Sequence, residues 1–328
     1  MSRISRLPKL PLLLQRKIYK TGQTRGADDD VIYQNRVSRN STVLIPLELY
    51  DLIKLPDNEK AFERGYIVLI KPEDYFNSPN IDTYLKDKGI ELGNNAVIFY
   101  QLRSDWEKYN PSRFGWTPAK SRETPVGGNY VARIAGTTAL DGKSEKISFG
   151  FNTKGLKGAG IRLYEYSSEN NTNLCRIQLE AIFWMCEDSY MAVTEFGMSK
   201  VDALFRKENI LAAAERHNLL NIDALYEARI IDHNKRTICP LCLERLSAYS
   251  FFNRMQQAIG REVHDLTITE VNLFHINELK YGEYNHKPYN LGWGHHHCNV
   301  VVKDSGINET IKWMETVLKN NKRTLDDR

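Results

Sequence analysis

Short apolar runs punctuate the first half of the chain: STVLIP, GYIVLI, NAVIFYQL, YVARIAG and KISFGF, all within residues 41–165. Clusters of Gly, Pro, Asn and Asp separate them, so each reads as a strand and the region as a mixed, β-rich domain. In TTALDGKSEKISFGF an Asp-Gly pair stands between two potential strands, a hairpin signal. The loop FNTKGLKGAGIRL carries glycines and lysines that would let it approach a phosphate backbone, although an ordinary surface turn has the same composition.

From about Thr194 the period becomes helical. SKVDALFRKENILAAAERHNLL puts Val201, Leu204, Ile210 and Leu211 roughly on one face, with Ser199 as the cap. After Arg236, the segment CPLCLERLSAYSFFNRMQQAIGRE reads as a cysteine pair leading into an amphipathic helix that ends at Gly260. LTITEVNLF alternates β-branched residues like a strand, and NETIKWMETVLKNNKR repeats Ile311, Met314 and Leu318 at helical spacing. The chain has no internal repeat and no low-complexity tract.

A length of 328 residues suits two domains. Hydrophobic residues make up 41% and charged ones 26%, and no apolar run approaches the roughly 18 residues that span a bilayer, which excludes a membrane protein. The opening MSRISRLPKLPLLLQRKIYK imitates a signal peptide, but Pro8 and Pro11 interrupt it, so a cytoplasmic protein is expected. Five cysteines do not make a disulfide framework, and a CxxC pair inside the cell points to metal or redox chemistry. Residues 1–40 hold nine Lys or Arg against three acids, an excess able to act as a phosphate-binding arm or simply a solvated terminus.

Chemistry-bearing residues concentrate near the C-terminus. Six of eight histidines (His264, His275, His286, His295, His296, His297) fall within 34 residues. Cys239 and Cys242 have zinc-knuckle spacing, and His295 and Cys298 repeat it as HxxC 53 residues after Cys242, completing a tetrahedral Cys3His set. A structural Zn2+ held this way supplies an apparent binding energy on the order of 10 kcal/mol that appears as folding energy. Such a closed site performs no catalysis, so the other histidines need a separate explanation; His264, at the start of the strand, is expected to be structural.

The order of the remaining residues is informative: a strand ending in Phe274, His275 and Ile276, a loop, Asn290 and Leu291, then Cys298 and Asn299 opening a helix. This order resembles the HNH nucleases, whose ββα-metal fold places a histidine base on the first strand, an asparagine in the loop and a metal-binding residue on the helix. The resemblance implies His275 as general base for phosphodiester hydrolysis, Asn290 as the residue that holds the loop and orients the imidazole, and Asn299 as a ligand of a catalytic Mg2+. HNH sites commonly carry Asp or His just before the base; Phe274 stands there instead, which leaves the ion to Asn299, water and phosphate, or to His286, His296 or His297. A competing pattern, Asp265 followed by Glu278 and Lys280, matches the loose D…ExK motif of another restriction-nuclease superfamily but leaves the cysteines and histidines unexplained.

CPLC, NLFHINELKYGEYNHKPYNLGWGHHHCNVVVKDSG and KTGQTRGADDDVIYQNRVSRNSTVLIP together resemble the BstXI-like type II restriction endonucleases. The resemblance implies a homodimer that cuts both strands of DNA at an interrupted palindrome, with a cognate methyltransferase in the same system. The expected architecture is α+β: a β-rich DNA-recognition and dimerisation region with a helical linker (1–235), then a zinc-stapled ββα-metal nuclease domain (236–328). Candidate DNA-binding residues are Arg25, Asn35, Arg36 and Arg39, with Lys280 and His286 beside the nuclease motif. Two alternatives compete: a modification-dependent nuclease that reads a methylated base through an aromatic pocket, and a zinc-stapled DNA-binding module without catalysis.

Overall fold

The computed structural model describes residues 7–19, 42–55, 59–137, 145–151, 160–255, 269–303 and 305–322. Two compact units emerge: Gly22–Ser168 with Tyr281–Tyr284, and Met1–Thr21 with Glu169–Lys280 and Asn285–Arg328.

The first unit is built on the five apolar runs, which become β1 (Val43–Pro46), β2 (Tyr66–Ile70), β3 (Ala96–Tyr100), β4 (Tyr130–Ile134) and β5 (Ile147–Phe149), joined by a short β6 (Ile161–Arg162). They form one sheet in the order β5-β4-β3-β2-β1-β6. β1 pairs in parallel with β2 and β6, β2 with β3, and β3 with β4; only β5 runs antiparallel, along β4. This pairing accounts for the uninterrupted apolar runs. Parallel strands are covered on both faces, and every residue of β3 and β4 is buried. Parallel neighbours also need crossover connections, supplied in part by α2 (Pro72–Asn77), α3 (Ile81–Asp87) and α4 (Arg103–Lys108). The unit is therefore a mostly parallel sheet with helices in its crossovers and one antiparallel edge strand, a mixed α and β region as the five runs imply. The β4–β5 pairing is antiparallel, as the Asp-Gly signal implies, but the Asp-Gly itself lies outside the described residues, as does most of the glycine-lysine loop.

The second unit gathers α1 (Leu12–Tyr19), α5 (Glu169–Trp184), α6 (Ser189–Glu195), α7 (Lys200–Arg216), α8 (Ile222–Glu227), the hairpin β7 (Val271–His275) and β8 (Leu291–His295), α9 (His296–Val302) and α10 (Gly306–Asn320). Leu14, Ile18, Ile182, Ile210, Phe274 and Trp293 share one apolar core. This is why the compact units part at residue 168 while the sequence suggests a division of roles at 235. α5 is buried nearly all round and packs in the same core as the β7–β8 hairpin, and the Trp293 indole donates to the Leu179 carbonyl at 2.9 Å.

Two expectations fail locally. No helix follows the cysteine pair up to residue 255: Leu243 takes a positive φ of 61°, Cys239 N–H donates to the Glu244 carbonyl, and only a 3-10 turn forms at Ala248–Phe251. The apolar residues there, Leu246, Ala248, Phe251 and Phe252, reach the core from an irregular segment. On α7, Ser199 does cap, accepting from Asp202 N–H at 3.0 Å, but Val201 and Leu204 are exposed (77% and 48%). The inward face is Ala203, Arg206, Ile210, Ala213 and Ala214, because Arg206 is drawn in by Glu180, its Nε and Nη2 meeting the two carboxylate oxygens at 2.6 and 2.8 Å. Among the described residues no helix is long and apolar enough to cross a membrane.

Candidate active site and metal centre

β7 and β8 pair antiparallel with Val271 opposite His295 and His275 opposite Leu291, and the chain passes directly from β8 into α9. The result is a strand, a strand and a helix that carry His275, His295, His296, His297, Cys298 and Asn299, with His286 and Asn290 in the loop between the strands. A strand advances about 3.4 Å per residue, so His275 and His295 stand at opposite ends of the ladder, on the order of 13 Å apart along it.

At the His295 end, Cys239, Cys242, His295 and Cys298 bring one ligand atom each to within 4.8 Å of every other. Cys239 and Cys242 come from the tight turn described above, His295 directly precedes α9 and Cys298 lies in its first turn. Cys242 Sγ is 3.4 Å from His295 Nδ1. Tetrahedral ligands at zinc–sulfur and zinc–nitrogen distances of about 2.3 and 2.0 Å lie roughly 3.5–3.8 Å apart, so the spacing and the donor chemistry fit Zn2+. Electrostatics point the same way. Burial alone would raise the Cys239 thiol, but hydrogen bonds from His295 and nearby backbone amides overcome it and lower the pKa to about 6. Burial, then repulsion from Cys239 and Cys242, pushes Cys298 well up; burial and Cys239 also raise Cys242. The hydrogen bond to Cys239 raises His295. A dication held here would supply the charge that favours the thiolate form of the three cysteines.

At the opposite end, His275 closes β7 with its Nε2 3.3 Å from Nδ1 of His286. His286 is 1% exposed, so its ring sits against His275 rather than on the surface; the Asn171 side chain donates to its backbone carbonyl at 2.8 Å. Asn290 is likewise buried and clamps the intervening loop. Its Oδ1 accepts from Asn277 N–H at 2.7 Å, while Nδ2 donates to the carbonyls of Asn277 (3.0 Å) and Asn285 (2.6 Å). Asn299, on α9, donates through Nδ2 to the carbonyl of Leu273, midway along β7, at 3.2 Å. Asn299 offers a side-chain oxygen, the donor type that a hard dication takes together with water. Phe274 is fully buried in the core, so the position before the histidine offers no ligand.

The other candidates scatter. Lys280 is exposed and pairs with Glu278 at 2.5 Å, an ion pair that lowers the Glu278 carboxyl. Arg25, Asn35, Arg36 and Arg39, together with His264 and Asp265, lie outside the described residues. His297 stacks on His295, ring centres 5.5 Å apart. His296 meets a residue the sequence did not single out: Asn272 Nδ2 lies 2.8 Å from His296 Nδ1, and Asn272 Oδ1 accepts from the buried Lys17 ammonium at 3.1 Å. Lys17 also donates to the Val271 carbonyl, tying α1 to the base of the hairpin. The available signal was a polar residue within an apolar strand; its partner more than 250 positions away gave none.

A model of the BstXI restriction endonuclease family matches residues 16–296. The match takes in Cys239, Cys242, His275, Asn290 and His295 and stops before Cys298 and Asn299. No curated protein and no solved structure matches the chain. A match across most of the chain, covering the sheet and the whole β7–β8 hairpin, establishes that this protein belongs to the BstXI restriction endonuclease family.

Proposed function

We propose that the protein is a type II, site-specific DNA endonuclease of the HNH class, with His275 as general base and the Cys3His set holding a structural Zn2+. Membership in a restriction endonuclease family makes the chain a nuclease acting on DNA. The observation that carries the finer reading is the strand–strand–helix unit with His275 ending β7, Asn290 clamping the loop and Asn299 on α9 beside β7.

In this reading a neutral His275 imidazole accepts a proton from the water that attacks phosphorus. Its Nε2 faces His286, and a partner of this kind fixes the ring's orientation and tautomer. Asn290 keeps the loop that carries His286 in register with the strand end. Asn299 would hold a Mg2+ through its side-chain oxygen, and the ion would supply Lewis-acid stabilisation of the phosphate and the leaving oxygen. The Cys3His set, at the other end of the hairpin, staples the strand end to α9 and takes no part in the chemistry.

Reading of base edges is assigned to residues 1–235 and nuclease action to 236–328, with two copies cutting the two strands and a methyltransferase protecting the host. The test is incubation of the purified protein with unmethylated phage DNA with and without Mg2+. Discrete Mg2+-dependent fragments, absent for His275→Ala while DNA binding persists, are expected. Cutting that survives His275→Ala but not Lys280→Ala would transfer the chemistry to the ExK pattern. Binding without cutting on any DNA would leave a zinc-stapled binding module.

A further inference from the structure

The sheet-bearing unit holds a cavity of about 310 Å³ at the C-terminal ends of its parallel strands, remote in sequence from the Cys/His cluster. Its walls come from the ends of β1, β2 and β3 and from the residues at and after β6. β1 is the point where the chain order reverses, since β2, β3 and β4 build outward on one side and β6 is added on the other. Open α/β sheets bind ligands in the crevice at such a switch point. The loop that carries Tyr281 contributes a further wall.

We propose that this cavity receives a nucleobase turned out of the DNA stack. The inference rests on the reading of the chain as a DNA endonuclease and adds a base-binding site to it. The size lies at the lower end of small-molecule pockets, right for a flat heterocycle. Leu44, Leu69 and Phe99 make an apolar floor for a ring face. Tyr164 and Tyr281 add aromatic surface, and stacking of this kind accepts any base. Hydrogen-bonding groups stand at the rim: the exposed Gln101 amide and the Asp74 carboxylate can meet donors and acceptors along a base edge.

Cations flank the same rim. The Arg162 guanidinium lies 5.6 Å from the Tyr164 ring centre and donates to its hydroxyl, and Lys71 pairs with Glu48. Both are exposed at the surface, where the phosphates on either side of an extruded nucleotide would run. An inorganic anion has no use for the apolar floor, and a purely apolar ligand none for the amide and carboxylate. A base still attached to its backbone uses all three features, as in the pockets that take up a base turned out of the stack.

The test uses the full chain and five probes: the four deoxynucleoside 5′-monophosphates and 5-methyl-dCMP, followed by equilibrium dialysis. Gln101→Ala and Arg162→Ala are the variants, each checked by its melting curve; both side chains are exposed, so the fold is expected to survive. At least one nucleotide should bind, with affinity falling about tenfold in each variant, the loss that removing one base contact produces. Cutting of phage DNA should fall in parallel. No nucleotide bound at millimolar concentration by a wild-type protein that cuts DNA would overturn the proposal and leave the endonuclease reading intact. Binding that depends on both residues, with cutting untouched by either change, would mark a site for free nucleotides and overturn extrusion. Nucleotide binding by a wild-type protein that cuts neither unmethylated nor methylated DNA would keep the base site and sink the endonuclease reading.

Discussion

Asn290 makes three hydrogen bonds with backbone groups of its own loop while almost wholly buried, so truncation leaves buried amides and carbonyls unsatisfied. Asn290→Ala is expected to lower stability by about 1–3 kcal/mol in denaturant titration, with cleavage falling further as the loop loses its register. His275→Ala, by contrast, should leave the melting curve near wild type and cut cleavage by about 10²–10⁴-fold, the usual share of a general base. The Glu180–Arg206 pair behaves differently again. Both side chains are buried, and the Tyr19 hydroxyl donates to Glu180 at 2.7 Å. Glu180→Gln should cost about 3–5 kcal/mol because it strands a buried guanidinium, measurable as a shift in the urea midpoint. Asp232 gives the pH dependence. Burial would raise its carboxyl, but the Arg236 amide, the Arg245 guanidinium and the Asn234 amide outweigh that and hold it below the ordinary value of 3.8. Its stabilisation is therefore complete above that value and is lost as pH falls through the lower folded value. Asp232→Asn should remove that part of the acid limb of the stability profile.

At the scale of elements, α7 shows how tertiary contact chooses a helix face. Its apolar residues are spread round the helix, and the buried side is settled by the Arg206–Glu180 pair and by small residues that let α7 approach α5. Val201→Ala should therefore change stability by less than about 0.5 kcal/mol, and Ile210→Ala should cost about 2–5 kcal/mol; paired melts of the two variants decide it. The cysteine turn carries the metal prediction. Stripping zinc with a strong chelator, or Cys242→Ser, should lower the melting temperature and expose the Trp293 fluorescence to quencher, since the turn, the end of β8 and the start of α9 meet at the four Cys and His side chains. Readdition of Zn2+ to the stripped wild type should restore both and release protons, because the thiols must ionise to bind.

At the scale of the whole molecule, the core that supports the hairpin is assembled from distant parts of the chain: Leu14 and Ile18 on α1, Ile182 and Phe183 on α5, Ile210 on α7, Phe274 and Trp293 on the hairpin. A fragment of residues 236–328 should consequently fail to show a cooperative melt even with zinc, whereas the full chain should; circular dichroism on both separates the outcomes. Much was legible without coordinates. Five strands announced themselves as apolar runs, α10 by the spacing of Ile311, Met314 and Leu318, and the Cys239–Cys242–His295–Cys298 cluster by two short cysteine–histidine spacings. These are local signals, in which neighbouring residues share one element or one turn. The parallel order of the sheet, the inward face of α7, the irregular path after Cys242, the burial of His286 against His275 and the tether from Lys17 to β7 were settled only by tertiary structure. Each depends on a partner brought close by folding, and a buried polar group or a strand edge carries no mark of which distant residue will satisfy it.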